Sequence, residues 1–375
     1  MPTISLERTT LLEALVNVSR AAAVKSTMPV IEGIYMKVTR TAGGAGDVYL
    51  CCYNLDMGIA TTVSAQADGD CAVVLPTRVC DFIRRLPGEK VTIEIDDRCV
   101  VKITSDNSDF EIVGMKPEDF PELPRVDGDY SFKLPQGLLR SMIAQTFYAI
   151  STSDVNPVYK GALFEANDGD ISLIALDGYR LAVRNEEINE KGEFHFIVPG
   201  KTLGEVRQML SDGDDAVEIS PAKNNIIFII GNYCIISRLF SGDFIDYRTT
   251  FTREYKYEAR LKTSDLIAGV DRVALVNTET SRSPVRCTFG GGKLKMFCET
   301  PIGRVEDEID CDCGFDGDIE IGFNNKYMQD AFKNVDCDEI ILRILSGDKP
   351  VQVLPPDGES FLYLLLPVRL GASNG

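Results

Sequence analysis

Residues Leu173–Ala182 read Leu-Ile-Ala-Leu-Asp-Gly-Tyr-Arg-Leu-Ala, two apolar runs on either side of an Asp-Gly pair. Asp-Gly between apolar segments is a strong turn signal, because glycine adopts positive φ without steric cost. The stretch therefore predicts a β-hairpin whose turn lies at Asp177–Gly178. Tyr179, Arg180 and Leu181 follow the turn directly. An aromatic residue, a cation and an apolar residue together fit either an exposed hairpin end or a binding surface.

The hairpin belongs to a pattern that recurs along the chain. Strand-like alternation and helical periodicity predict two helices and roughly eight strands in each of three stretches. The second helix of each stretch opens at residues 76, 199 and about 323, which are intervals of 123 and 124 residues. A chain of 375 residues also exceeds the size at which one hydrophobic core stops growing. We therefore predict three α+β domains, each with two helices packed on an antiparallel sheet, at residues 1–124, 125–251 and 252–375.

Charge is distributed unevenly between the predicted helices and the rest of the chain. The net charge is −18, so the chain as a whole should repel nucleic acid. The six predicted helices, residues 9–25, 77–87, 134–150, 199–210, 262–276 and 324–335, carry twelve of the 39 basic residues and only six of the 57 acidic ones. Helices favour Glu as much as Lys and Arg, so propensity alone does not explain this excess. The pattern predicts a basic helical surface that attracts a phosphate backbone without reading sequence.

Several kinds of chemistry are not indicated by the sequence. The single histidine, His195, lies in an alternating strand pattern and is predicted to be a surface residue. There is no nucleophile-elbow motif and no glycine-rich phosphate loop. Asp177 with a second acid such as Asp246 leaves a carboxylate hydrolase as a minor alternative, although Asp is also the residue expected at a turn.

The eleven cysteines are scattered and odd in number. Cys311–Cys313 is a Cys-x-Cys, but no second cysteine pair or histidine completes a zinc pattern, so we predict no metal and no cofactor. Free thiols in a reducing cytoplasm explain these residues. The N-terminus does not read as a signal peptide, and no apolar run reaches the roughly 20 residues that span a bilayer.

Four motifs at matching separations resemble one family. They are Leu-Asp-Gly-Tyr-Arg-Leu at Leu176–Leu181, Asp-Tyr-Arg at Asp246–Arg248, Gly-Phe-Asn at Gly322–Asn324 and Leu-Pro-Val-Arg-Leu at Leu366–Leu370. With the threefold repeat, they make the chain similar over its whole length to the bacterial sliding clamp, the β subunit of the replicative DNA polymerase III.

The resemblance implies a cytoplasmic, non-catalytic processivity factor. Two copies would join head to tail in a closed ring of six domains, with helices inside, sheets outside and duplex DNA in the hole. Its partners would be DNA, a second copy of the chain, the polymerase III catalytic subunit, the clamp loader and other proteins that carry a clamp-binding peptide. A monomeric peptide-binding scaffold that never encircles DNA is the alternative.

Motif by motif, the resemblance also implies site residues. The peptide pocket between the second and third domains would be formed by Tyr159, Leu176, Gly178, Tyr179, Arg180, Leu181, Ile245, Thr249, Thr250, Asn324, Tyr327, Leu364, Leu365, Leu366, Pro367, Val368, Arg369 and Leu370. The helical cations that would face DNA are Arg20, Lys25, Arg78, Arg84, Arg140, Lys201, Arg207, Lys262, Arg272, Lys326 and Lys333. The ring seam would join Phe110 of one subunit to Val276 and Asn277 of the other.

The sequence departs from the family pattern in places that bear on the pocket. Tyr179 stands where the family often has His, and Ile245 stands where it often has Pro. Family members also often have an aromatic residue near the position of Arg282. The family commonly ends at the pair equivalent to Arg369-Leu370, so Gly371–Gly375 is predicted to be an additional flexible tail.

Overall fold

The computed structural model describes residues 1–126, 128, 130–188, 192–252, 254–278 and 283–370. The predicted tail Gly371–Gly375 and the position Arg282 lie outside these residues. The chain divides into two compact units. Unit 1 comprises Met1–Leu138 and Gly204–Leu239, and unit 2 comprises Leu139–Leu203 and Phe240–Gly375.

Six α-helices and 25 strands are found in the described residues. The first repeat holds β1 (Thr3–Glu7), α1 (Arg8–Ser19), β2 (Gly33–Arg40), β3 (Ala45–Tyr53), β4 (Met57–Ala67), β5 (Cys71–Pro76), α2 (Val79–Arg85), β6 (Lys90–Ile95), β7 (Val100–Ser105) and β8 (Ser108–Val113). The second holds β9 (Phe132–Pro135), α3 (Gln136–Phe147), β10 (Gly161–Asn167), β11 (Asp170–Leu176), β12 (Arg180–Glu187), β13 (Glu193–Pro199), α4 (Gly200–Met209), β14 (Ala216–Pro221), β15 (Asn225–Ile230) and β16 (Tyr233–Arg238). The third holds β17 (Tyr257–Lys262), α5 (Thr263–Ala274), β18 (Val285–Gly290), β19 (Lys293–Thr300), β20 (Gly303–Asp310), β21 (Asp312–Cys313), β22 (Ile319–Phe323), α6 (Asn325–Lys333), β23 (Glu339–Ile344), β24 (Val351–Leu354) and β25 (Phe361–Leu365).

The element order repeats three times, as the sequence predicts. Helices α1, α3 and α5 begin at Arg8, Gln136 and Thr263, and each follows a strand without a gap. Helices α2, α4 and α6 each come after a later strand of the same repeat. The predicted α+β class with three two-helix repeats is confirmed.

Unit 1 is built on one large antiparallel sheet. Among the described residues its strands run in the order β8-β7-β6-β1-β4-β16-β15-β14-β9, and β3, β2 and β5 extend from β4. Strand β4 of the first repeat pairs with β16 of the second, with Ile59 opposite Ile235. Neighbouring repeats therefore share a continuous sheet.

Unit 2 contains two antiparallel sheets. The nine-stranded sheet has the order β13-β10-β11-β12-β25-β24-β23-β17-β21, and the four-stranded sheet has the order β20-β19-β18-β22. Strand β12 of the second repeat pairs with β25 of the third, with Leu181 opposite Leu364. This pairing brings residues of two different repeats, far apart in the chain, into one sheet.

The helices pack one apolar face into the cores, as their periodicity predicts. Leu11, Leu15 and Val18 of α1 are fully buried, and so are Leu266 and Val270 of α5. An apolar stripe at this spacing is stabilised because burial removes it from water. None of the described helices has the length and apolar character that crossing a bilayer requires.

The helix ends differ from their predicted bounds. Helix α1 is predicted to reach Lys25, but it ends at Ser19, and Lys25 lies beyond it. The N–H of Ala23 donates to the carbonyl of Ile31 at 3.0 Å, so a tertiary hydrogen bond replaces the next helical one. Lys262 caps the start of α5 instead of lying inside it. The periodicity of apolar residues does not indicate where these helices begin and end, because tertiary hydrogen bonds help to set their ends.

Candidate functional site

The Asp177 turn joins β11 to β12 as predicted. Gly178 has φ of +88°, a conformation that favours glycine. Asp177 Oδ1 accepts hydrogen bonds from the backbone N–H groups of Tyr179 (2.9 Å) and Arg180 (3.0 Å). Asp177 is therefore a turn-forming carboxylate whose oxygens are already occupied, which argues against the hydrolase alternative.

Arg180 is enclosed by acids and aromatic rings. Its side chain donates to Asp177 Oδ2 at 3.0 Å and to Asp330 Oδ2 at 2.6 Å. Its guanidinium carbon lies 4.5 Å from the ring centroid of Tyr327 and 5.3 Å from that of Tyr148. The residue is only 8% exposed. Two carboxylates already neutralise this cation, so it fastens the β11–β12 turn to helix α6.

Strand alternation separates Arg180 from the neighbouring leucines. Arg180 pairs with Leu365 in the sheet, and Leu181 pairs with Leu364. Successive side chains of a strand point to opposite faces. Arg180 and Leu365 therefore face one side of the sheet, while Leu181 and Leu364 face the other.

On the Leu181 side an apolar cluster underlies the predicted pocket. Leu176, Leu181 and Leu364 are buried in this cluster, and Tyr159 and Leu366 pack against it while remaining partly exposed. The cluster also contains Leu163, Ile174, Val183, Ile197 and Tyr247, with Val158, Phe240, Phe244, Phe251 and Leu362 packed against it. The ring of Tyr159 meets that of Phe244 edge-on at 5.5 Å between centroids. Several residues predicted to form the peptide pocket therefore belong to, or pack against, one buried apolar cluster.

Three large apolar side chains near the Asp177 turn and the apolar cluster are exposed to solvent. Tyr179 is 60% exposed, Ile245 46% and Val368 39%. The Tyr179 ring stacks on Tyr327 with 5.9 Å between centroids. Large exposed apolar groups continuous with a core are typical of a binding surface.

The last described segment is held against the turn and against β22. The N–H of Leu366 donates to the carbonyl of Tyr179 at 3.0 Å, and the N–H of Val368 donates to that of Gly322 at 2.8 Å. A Cβ on Gly322 would lie 2.5 Å from the Val368 oxygen and 2.7 Å from Leu370 Cδ2. Gly322 is therefore needed for the segment to lie this close.

Other predicted pocket residues lie on two short structural features. Asn324 Oδ1 accepts from the N–H groups of Lys326 and Tyr327, which caps helix α6 and orients Tyr327. The Thr249 and Thr250 hydroxyls donate back to the carbonyls of a short helical turn, and both threonines are exposed. Pro367 and Leu370 are half-buried and Arg369 is exposed.

The predicted DNA-facing cations fall into two groups. Four face carboxylates: Arg20–Glu205 at 3.3 Å, Arg84–Asp81 at 2.8 Å, Arg272–Asp307 at 2.6 Å and Lys333–Asp271 at 2.8 Å. Exposed cations are Lys25, Arg78, Lys201, Lys262 and Lys326, whereas Arg140 and Arg207 are half-buried. The five exposed cations present the more available positive charge.

The predicted seam residues have local partners of their own. The Phe110 ring is half-buried and stacks on Phe82 with 5.1 Å between centroids. Asn277 is tied inward, because its side chain contacts Cys298 Sγ and accepts from the N–H of Ser283. Val276 is half-buried, and the preceding Leu275 is 79% exposed.

Sequence reasoning missed the residues that support the pocket from afar. Asp330 is one polar residue on an amphipathic helix, and nothing local marks it as the partner of Arg180. Tyr148 follows α3, and its hydroxyl is buried without a hydrogen-bond partner among the described residues. Burial raises the pKa of this hydroxyl well above its usual range. Phe244 could have been noticed as an aromatic residue beside Ile245.

Comparison with known proteins identifies relatives over nearly the whole chain. Family models match in order: DNA polymerase III beta subunit, N-terminal domain, at residues 3–124, central domain at 133–246 and C-terminal domain at 248–369. The beta sliding clamp of Staphylococcus epidermidis is 31% identical over 376 residues, covering 97% of this chain and 98% of the relative. The DNA polymerase sliding clamp of Bacillus subtilis has the same fold, with a TM-score of 0.92 at 24% identity over 99% of this chain and 100% of that one. A sliding clamp from Pseudomonas aeruginosa, solved bound to griselimycin, gives 0.90 at 24% identity over 98% and 100%.

Proposed function

The chain belongs to the DNA polymerase III beta-subunit family, and from that premise we propose that two copies close head to tail into a ring around duplex DNA. It is a sliding clamp, a processivity factor and not an enzyme. The observation that carries this conclusion is the ordered match of all three family domains. The ring would hold the polymerase III catalytic subunit, the clamp loader and other partners on DNA.

We assign partner binding to the surface around the Asp177 turn. Leu176, Leu181 and Leu364 supply a buried apolar floor, and Tyr179 and Val368 supply exposed apolar edges. A short peptide with one or two Leu or Phe anchors and a Gln fits this chemistry. Each anchor contributes about 1.5–3 kcal/mol on burial, so two anchors supply up to about 6 of the roughly 8 kcal/mol that micromolar affinity requires, and polar contacts would supply the rest.

Tyr179, which stands where the family often has His, changes the chemistry that this pocket offers to a peptide. The Tyr179–Tyr327 stack covers Arg180, whose charge is already neutralised by Asp177 and Asp330. We therefore expect peptide recognition to rest on apolar and aromatic contact more than on a free cation. Asn324 and the exposed threonines Thr249 and Thr250 offer polar groups for the peptide Gln.

We assign DNA contact to the predicted DNA-facing cations, with Lys25, Arg78, Lys201, Lys262 and Lys326 as the main contributors. Their exposed charges can approach phosphates, while cations already paired with carboxylates contribute less. Contact of this kind positions the duplex without reading bases.

For the seam we propose Phe110, on the edge strand β8, together with Leu275, Val276 and Asn277 at the end of α5. Edge strands present unpaired backbone groups that favour pairing with a second chain. The domain boundaries 1–124, 125–251 and 252–375 remain part of the proposal. So does a cytoplasmic location, which the free thiol state of all eleven cysteines supports.

Retention on DNA tests the ring. Protein loaded by its clamp loader onto a nicked circular plasmid should stay bound through gel filtration, and cutting the plasmid should release it. Blocking the ends of the linear DNA with bound protein should restore retention. A protein that sediments with the mass of one subunit and is retained equally on circular and linear DNA would instead be a monomeric scaffold.

A further inference from the structure

The Cys-x-Cys at Cys311–Cys313 lies outside the peptide, DNA and seam residues proposed above. The two sulfur atoms lie 3.2 Å apart. Side chains at i and i+2 of a straight strand are roughly 6.5 Å apart, because each residue advances the chain by about 3.3 Å. The fold brings these two thiols much closer than sequence spacing alone would.

The reason is a break in the strand at Cys311. Strand β20 ends at Asp310 in the four-stranded sheet, and β21 begins at Asp312 on the edge of the nine-stranded sheet. Cys311 is the one residue between them, and its N–H donates to the carbonyl of Gly292 at 3.1 Å. The chain changes sheets at this point, and the bend turns both sulfurs toward each other.

The two thiols differ in access. Cys311 is buried, whereas Cys313 is half-buried. Burial and the neighbouring Cys313 and Asp312 raise the pKa of the Cys311 thiol. Cys313 is therefore the sulfur that a small oxidant reaches first, and Cys311 is the neutral thiol beside it.

We propose that Cys311 and Cys313 form a reversible intramolecular disulfide when a hydroperoxide oxidises Cys313. The Cys313 thiolate attacks the peroxide, the O–O bond breaks, and a sulfenic acid and hydroxide form. Cys311 Sγ then attacks Cys313 Sγ, the S–O bond breaks, and the hydroxyl leaves as water with the Cys311 proton. Two thiols lose two electrons and two protons, and hydrogen peroxide becomes two waters.

Little movement separates the two states. A disulfide bond is about 2.05 Å long, so the sulfurs must approach by only about 1.2 Å. A bridge across one residue constrains the unfolded chain very little, so the bond gains little stability and thiols reduce it readily.

Peptide mapping of the intact protein tests the proposal. Trypsin cleavage after Arg304 and Lys326 releases Val305–Lys326, which holds Cys311 and Cys313 and no other cysteine. The protein is treated with hydrogen peroxide, denatured with excess N-ethylmaleimide and digested. We expect this peptide to lose two hydrogens and take up no maleimide, and to take up two maleimides when it is first reduced with dithiothreitol.

Variants and a denatured sample separate the fold from the sequence. C311S and C313S should each abolish the loss of two hydrogens, and C337S, at another half-buried cysteine, should leave it unchanged. Closure should be faster in the folded protein than in urea. Oxidation of Cys337 shows that the peroxide has reached the half-buried thiols of the protein. The proposal is overturned if, under that condition, the Val305–Lys326 peptide keeps two alkylatable thiols or gains oxygen atoms. It is also overturned if the disulfide forms as fast in urea as in the folded protein.

Discussion

Gly322→Ala should weaken peptide binding while leaving the domain folded. Gly322 is buried in β22, and its φ lies outside the left-handed region, so alanine suits the backbone itself. The added methyl would lie 2.5 Å from the Val368 carbonyl oxygen and 2.7 Å from Leu370 Cδ2. A backbone atom cannot move aside as a flexible side chain does, so the Val368–Leu370 segment must leave β22.

The magnitude follows from one hydrogen bond and one partly buried side chain. The hydrogen bond from the Val368 N–H to the Gly322 carbonyl contributes about 0.5–1.5 kcal/mol. Half-buried Leu370 gives up roughly half of the 1.5–3 kcal/mol that full burial of a leucine provides. The segment can detach, so the free energy of unfolding should fall by no more than about 3 kcal/mol. If the segment is one wall of the peptide pocket, its displacement removes part of the contact with the peptide. A loss of about 1.4 kcal/mol of binding free energy corresponds to a tenfold lower affinity.

Calorimetric titration with a polymerase-derived peptide measures this effect, and a thermal melt checks the fold. Gly314→Ala is the matched control, because a Cβ at Gly314 has no atom within 4 Å and this glycine is exposed. The control should bind the peptide like the parent. If Gly322→Ala also binds as tightly as the parent, the segment is not a wall of the pocket and the reasoning fails.

Three further predictions concern the pocket floor, the DNA surface and the seam. Leu181→Ala should lower the free energy of unfolding, measured in urea, by about 2–5 kcal/mol, because Leu181 is buried in the core cluster. An unchanged free energy of unfolding would show that Leu181 does not stabilise this cluster. Lys25→Gln with Lys201→Gln should reduce the salt slope of DNA binding by up to about 0.9 for each phosphate that is no longer neutralised, and an unchanged slope would place these cations away from DNA. Phe110→Asp with Leu275→Asp should shift the protein to one-subunit mass in sedimentation, and a persistent dimer would exclude this seam.

The proposed seam adds Leu275 to the residues that the resemblance implies. The periodicity of residues 262–276 assigns Val276 to the end of a helix, but α5 ends at Ala274 and Leu275 is the exposed apolar residue. The Phe110 ring stacks on Phe82 of helix α2, which the sequence around Phe110 does not indicate. Exposure depends on what packs over a residue, and that partner is distant in sequence.

Local features were predictable because their causes are local. The Asp177–Gly178 turn follows from glycine's tolerance of positive φ and from an Asp side chain that accepts hydrogen bonds from the N–H groups of Tyr179 and Arg180. The threefold repeat follows from the periodicity of apolar residues, and His195 is exposed on β13 as its alternating pattern predicts. The sequence by itself therefore determined the class, the repeat and the position of the Asp177–Gly178 turn.

Only the tertiary structure decided what the pocket residues do. The Asp330 carboxylate, 150 residues away in the sequence, accepts a hydrogen bond from Arg180. This ion pair links the Asp177 turn to α6, whereas the sequence alone suggests a free cation. The break at Cys311 brings two sulfurs together where a straight strand would hold them apart. Asp330 is far from Arg180 in the sequence, and the break at Cys311 arises because β20 and β21 pair in different sheets. Both depend on how sheets and helices pack after the local elements have formed.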